Sequence, residues 1–320
     1  MGKINTLFRL LREDRAGLRK AFADNFSNSR LSRIIPDEAF LRFKYKACIG
    51  KPLNLENPKT FNEKLNWLKL NDRQDIYTQM VDKHLVKAYV ANCIGQQYII
   101  PTLGVWEDVE QIDFDALPNQ FVLKWNHDSG SAVICKDKSS FDRQAAALKL
   151  KKCKKHNGYW HAREWPYKNV KPCIIAEQYM EDEKTGELRD YKFFCFDGTV
   201  RAMFIATERQ TAGQEVKFDF FDAEGKHLNV RQGHPNASTT PEIPETFEEM
   251  KRLAEKLSYG VPQLRVDFYE VNGRVYFGEL TFSHFAGMVP FEPEQWDAKL
   301  GEIPILRKLL QLKETPEPAD

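Results

Sequence analysis

Within "RVDFYEVNGRVYFGELTFS", residues 265–283, the acids Asp267 and Glu279 flank an Asn272-Gly273 pair, and Arg265 lies just before the first acid. Two carboxylates with no His or Cys beside them are hard oxygen donors, the set that suits Mg2+. Apolar and polar residues alternate on both sides of Asn272-Gly273, which reads as a β-hairpin. Its register decides whether the acids meet. A two-residue turn puts Asp267 opposite Gly278 and sends Glu279 to the other face, leaving a tidy apolar face of Val266, Phe268, Val275 and Phe277. A three-residue loop, with Gly273 left-handed in a G1 bulge, shifts the pairing by one. Arg265 then faces Glu279, and Asp267 lies diagonally beside Glu279 on the same face. Taken alone, the hairpin leaves both registers open.

Other residues invite chemistry of the same kind. Lys124 closes the apolar run "FVLKW" and is followed by "NHDSGSA", with Ser129, Gly130 and Ser131. A fixed ammonium next to a Ser-Gly loop suits phosphate, because glycine lets backbone N–H groups approach oxygens. A strand-edge lysine before a common turn is the structural alternative. Glu177 ends the apolar "IIAEQYM", where an uncompensated carboxylate is costly. It either accepts from an adenine amino group or turns to solvent. Asp190 and Lys192 in "DYKFFCF" share a strand face, as a surface pair or as part of a site. Arg209, after "RAMFIATE", has the planar fork that matches a substrate carboxylate, or is a surface loop cation.

The elements that must position these groups are legible in outline. Residues 4–33 space Leu7, Phe8, Leu10, Leu11, Leu18, Phe22 and Phe26 among Arg and Lys, a helix period with a basic face. A peripheral anchor on anionic lipid and an arm packed on the main body are its two readings. Thr60 caps a following helix, with Glu63 completing a capping box. A helical pattern spans 75–91, "QQYIIPTLGVW" is β-rich, and 141–156 is helical, ending in His156-Asn157-Gly158 as a C-cap. Residues 181–189 read as a loop, 190–221 as strands turning at Asp197-Gly198, and 245–259 as an amphipathic helix. Strands cluster with few helices between them and no repeat, so the fold class is α+β with mixed sheets.

With 320 residues the chain holds about two domain-sized cores, or one α/β unit with a mobile subdomain. Its 47 basic and 46 acidic residues nearly cancel, so no whole-chain field selects a nucleic-acid partner. The six cysteines form no CxxC and no zinc pattern, and read as buried thiols of a reducing compartment. Nothing approaches the ~18 consecutive apolar residues of a membrane span, and no secretory h-region is present. The expected location is cytoplasmic, at the inner face of the membrane if the basic arm is an anchor.

In order along the chain, "NPKTFNEKLNWLKL", "VDKHLVKAYV", "LPNQFVLKWNHDSGS", "EWPYKNVKPCIIAEQYM", "DYKFFCFDG", "LRVDFYEVNGRVYFGELTFS" and "PEQWDAKLG" resemble the TupA-like branch of the ATP-grasp superfamily. That branch occurs in bacterial surface-polysaccharide gene sets and is often labelled glycosyltransferase. The resemblance spans roughly Asn57 to Gly301. It implies two α+β lobes holding ATP beneath a small lid, divided as an arm 1–58, an N-terminal lobe 59–120, a lid 121–185, a C-terminal lobe 186–312 and a frayed tail 313–320. It also implies that Lys83, Lys124 and the Ser129–Gly130–Ser131 loop contact phosphates, and that Glu177 and Tyr179 form the adenine hinge. Asp267 and Glu279 would hold Mg2+, with Thr281 in place of the usual Asn, a weaker ligand. Arg265 would act on the γ-phosphate or acyl phosphate, and Lys192 on the phosphates or acceptor.

The function implied is an ATP- and Mg2+-dependent carboxylate–amine ligase, joining an amino acid or other amine to a uronic-acid-type carboxylate of a surface glycan or its precursor. A sugar-nucleotide glycosyltransferase would need a DxD motif after a Rossmann-type strand, and the "DFD" at Asp113–Asp115 follows none. A non-catalytic nucleotide-binding partner is the third reading. In this company the hairpin is expected in the three-residue, bulged register.

Overall fold

The computed structural model describes residues 15–208 and 215–303. The chain divides into two compact units: one drawn from Met1–Arg73, Tyr159–Trp165 and Ser283–Asp320, the other from Gln74–Gly158 and Pro166–Phe282. Arg209 and the tail 313–320 lie outside the described residues, as do residues 4–14 of the basic arm.

The first unit is helical. Helices α1 (Arg15–Ser27) and α2 (Asp37–Ile49) pack together through Phe26 and Phe43, whose rings lie 5.5 Å apart. Thr60 and Glu63 make the expected capping box at the start of α3 (Phe61–Asn71). Three distant segments are joined by buried polar groups. From α3, Asn62 donates to the Asp297 carboxylate (3.0 Å) and Asn66 to the Gly287 carbonyl (3.0 Å). The Lys69 ammonium donates to Asn66 Oδ1 (3.1 Å) and to the carbonyls of Ala162 (3.0 Å) and Ala286 (2.6 Å). Arg163 is fully buried, over the Phe40 ring, and donates to the Trp160 and Ser32 carbonyls while pairing with Asp37. Such groups stay buried because carbonyl and carboxylate oxygens surround their charges and amides.

The second unit carries two antiparallel sheets. One has the order β1-β4-β2-β3, from Thr102–Trp106, Phe121–Trp125, Val133–Cys135 and Ile174–Gln178 in chain order. Phe121, Leu123 and Trp125 point into an apolar core with Ile174, Ala176 and Leu150 of the helix Arg143–Cys153, while Val122 and Lys124 take the opposite face. That helix stops at Cys153, short of the expected 156, and Gly158 opens the next short helix instead of capping this one. The 75–91 pattern is two helices, α4 (Ile76–Val81) and α5 (Val86–Ile94), because Asp82 turns its carboxylate onto the amides of His84 and Leu85.

The second sheet has six strands: β5 (Asp190–Phe196), β6 (Thr199–Thr207), β7 (Lys217–Asp222), β8 (His227–Leu228), β9 (Leu264–Val271) and β10 (Arg274–Thr281), in the order β10-β9-β5-β6-β7-β8. Phe193, Cys195, Met203, Ile205, Val266 and Phe268 meet Phe247, Met250, Leu253 and Leu257 of the helix Phe247–Ser258. The other face of β5 and β9 is left for Asp190, Lys192, Arg265 and Asp267.

Candidate functional site

The hairpin corrects both registers weighed from the sequence. Val271 pairs with Arg274, so Asn272 (φ 51°) and Gly273 (φ 74°) form a two-residue turn of the primed kind, not a three-residue loop. Pairing runs on to Phe268 and Phe277, then shifts, so that Asp267 faces Glu279 and Arg265 faces Thr281. The extra residue is Gly278, inside the strand. Val275 and Phe277 keep the core face, and the bulge turns Glu279 and Thr281 to the face of Asp267. A Cβ at Gly278 would stand 3.1 Å from the Asp267 carbonyl oxygen, a close approach that glycine accommodates.

Around Asp267, itself fully buried, the charges alternate. Arg265 reaches it with Nε (2.7 Å) and Nη2 (2.7 Å), and Nη2 also donates to Glu279 Oε1 (2.8 Å). Lys192 bonds to Asp267 and lies 2.9 Å from Asp190. Thr281 Oγ1 stands 3.4 Å from Glu279. Burial works against the charges here. It favours neutral Glu279, yet Lys83, Lys192 and Arg265 hold that carboxyl well below its usual range. It opposes the Arg265 cation, yet Asp267 and Glu279 raise its pKa. For Lys192 burial outweighs Asp267 and the pKa falls. Asp190 and Lys192 are thus a buried pair, not a surface one.

A second cluster forms where the four-stranded sheet meets α5. Lys124 and Glu177 share the face opposite the apolar core. Glu177 Oε2 is 2.5 Å from Lys124, and Oε1 is 2.7 Å from Lys87. Burial favours its neutral form, but the two ammonium groups hold it below the ordinary carboxylate range. Lys83 bridges the two sheets, donating to the Asp128 carbonyl (2.8 Å) and standing 3.6 Å from Glu279. Ser131 anchors its loop by accepting from the Trp125 amide and donating to Asp128.

A cavity of about 360 Å3 gathers Lys83, Lys124, Ser129, Gly130, Ser131, Glu177, Tyr179, Lys192 and Glu279, with Asp128 and Asp190. Ile100, Val122, Ile134, Met180, Leu188 and Tyr269 give it an apolar wall, the mixture small-molecule sites show. Asp267, Arg265 and Thr281 stand behind Glu279 and are not part of the wall. Sequence reasoning missed Lys87 and Asp128. The Lys83–Lys87 spacing was the available signal for the first, and nothing local marked the second.

Asp267 and Glu279 fit a divalent cation in donor chemistry: two opposed carboxylates, a nearby hydroxyl, and cations that hold the Glu279 carboxyl ionised. Among the described residues no three His, Cys, Asp or Glu side chains form a metal cluster, so the other ligands would be waters and phosphate oxygens. All six cysteines are free thiols. No described helix is long and apolar enough to cross a membrane.

A family model described as TupA-like ATPgrasp matches residues 63–304. No curated protein matches the chain. Similar solved structures include a D-alanine-D-alanine ligase from Helicobacter pylori, 14% identical over 81% of this chain and 68% of that one, TM-score 0.42. The corresponding ligase from Bacillus anthracis is 15% identical over 74% and 67%, TM-score 0.40. ATP-grasp ligase PsnB, complexed with a phosphomimetic variant of minimal precursor, Mg and ADP, is 12% identical over 71% and 60%, TM-score 0.39. The chain thus spans 60% to 68% of these proteins' lengths.

Proposed function

Since the chain belongs to the TupA-like ATP-grasp family, we propose that it is an ATP- and Mg2+-dependent ligase that couples a carboxylate to an amine through an acyl phosphate. The observation that carries this reading is the bulge at Gly278. It brings Glu279 opposite Asp267, at the edge of a cavity that also holds Lys83, Lys124 and the Ser129–Ser131 loop. The lysines and loop amides hold the triphosphate, and the apolar wall with Tyr179 takes the base. Asp267, Glu279 and Thr281 hold Mg2+, which when bound offsets charge on the phosphate oxygens.

The acceptor carboxylate attacks the γ-phosphorus and the bond to the β-phosphate oxygen breaks, releasing ADP. The amine then attacks the acyl carbon, phosphate leaves, and the amine gives up a proton. Lys192, in the cavity wall, faces the charge that moves between these oxygens, and Arg265 acts on it from behind Glu279. Arg209 grips the acceptor carboxylate.

The acceptor class we favour is a uronic-acid-type carboxylate of a bacterial surface glycan or its precursor, with an amino acid as the amine, by family analogy. We place the reaction in the cytoplasm, beside anionic lipid. Exposed Phe22, Leu31 and Ile34, with exposed Arg15, Arg19, Lys20, Arg30 and Arg33, support that last point. The test is product analysis with ATP, Mg2+, uronic-acid glycan precursors and mixed amino acids. ADP and phosphate should appear only when both acceptor and amine are present. Release of a nucleoside diphosphate from a sugar nucleotide would identify a glycosyltransferase instead.

A further inference from the structure

Lys87 is a half-buried cation beside the cavity that this function leaves without a task. Its three ammonium donors are all engaged, with the Ile100 carbonyl (2.9 Å), Thr102 Oγ1 (2.7 Å) and Glu177 Oε1 (2.7 Å). It therefore has none left for a ligand, and it is absent from the cavity wall. Lys124 is in that wall and uses one donor on Glu177 Oε2 (2.5 Å). Glu177, 6% exposed, has one ammonium on each oxygen.

Charge counting gives this arrangement a purpose. A lone Glu177–Lys124 pair is neutral and offers little to a polyanion. With Lys87 the same carboxylate is shared by two cations, and the cluster carries one net positive charge on the side facing the cavity. A carboxylate with an ammonium on both oxygens is also poorly suited to receive a base amino group. We propose that Lys87 and Glu177 are positioning residues for Lys124: Glu177 aims its ammonium at the triphosphate, and Lys87 keeps Glu177 from cancelling its charge. This replaces the adenine-contact role that the sequence suggested for Glu177, and it rests on the reading of the cavity as a nucleotide site.

The experiment measures calorimetric binding of ATP, inosine triphosphate, which lacks the 6-amino group, and adenosine to the full chain with Mg2+. Lys87→Met should weaken ATP and inosine triphosphate equally, by about tenfold, and leave adenosine unchanged. In a Lys124→Met background the same substitution should add less than about twofold, because its effect passes through Lys124. Lys87→Gln removes the charge but keeps a donor to the same acceptors. It should reproduce the loss if Lys87→Met fails to fold. A loss that falls on ATP but spares inosine triphosphate, that extends to adenosine, or that persists in full without Lys124 overturns the proposal. Absence of ATP binding by the unaltered chain overturns the nucleotide reading itself.

Discussion

Lys69 and Arg163 in the helical unit, and Lys192 and Arg265 in the sheet unit, are all buried cations, but they are solvated differently. Lys69 is surrounded by an amide oxygen and two backbone carbonyls, and Arg163 adds three carbonyls to its one carboxylate. Lys192 and Arg265 lie against Asp190, Asp267 and Glu279. Carbonyl dipoles belong to the chain, so ions they solvate hold segments of chain together. Carboxylate partners can be shared with a metal ion, and cations that face them can turn to phosphate oxygens. The first arrangement suits a staple and the second suits exchange.

Asp267→Ala tests the exchange side hardest. It should reduce ADP release by about a thousandfold, and by stranding Arg265 and Lys192 it should lower stability by about 3 to 5 kcal/mol. Turnover within tenfold of the unaltered chain would remove Asp267 from the chemistry.

Lys69→Met should show the reverse: a stability loss of about 2 to 3 kcal/mol from stranded carbonyls, with nucleotide affinity of the folded protein unchanged. Burial, opposed by the Glu164 charge, pushes the Lys69 pKa down to about 7. An unfolded lysine titrates near 10.4, so between these values the unfolded chain holds a proton that the folded chain lacks. Stability relative to Lys69→Met should therefore rise by about 1 to 2 kcal/mol from pH 7 to pH 9 in urea unfolding. A flat difference would mean that the carbonyls alone keep the ammonium charged. For Glu279, also held below its usual range, the sign is the same and the window lies lower. Its contribution is present above the ordinary carboxylate pKa and is lost as pH falls through the lower folded value.

Gly278→Ala gives the smallest effect. Its Cβ must be absorbed 3.1 Å from the Asp267 carbonyl oxygen and 3.2 Å from the Tyr269 ring. The Mg2+ concentration needed for half-maximal turnover should rise about threefold, with melting temperature nearly unchanged. No change in the Mg2+ requirement would separate the bulge from the metal.

Alternation in "DYKFFCF" and "RVDFYEV" correctly placed Lys192, Arg265 and Asp267 on faces, because strand geometry is local. The hairpin register was misread because only the turn was considered as the place for an extra residue. The isolated glycine in "VYFGELT" was the legible sign of a bulge within the strand. Lys87 was passed over because its partner Glu177 is far away in sequence. Asn62, Asn66 and Lys69, polar residues on one stripe of "NEKLNWLK", carry no local sign of burial, since what covers them comes from 159–165 and 283–303.

That stripe also has a consequence for how the molecule is made. Asn66 meets Gly287 across 221 residues, so during synthesis α3 leaves the ribosome long before its acceptors exist. Segments 74–158 and 166–282 can close their own sheets first, while the helical unit waits for its last strip of chain. Throughout that interval α3 shows water amides and an ammonium along this stripe instead of another row of leucines. The groups that later hold the finished unit together are also the ones that keep the nascent helix from sticking.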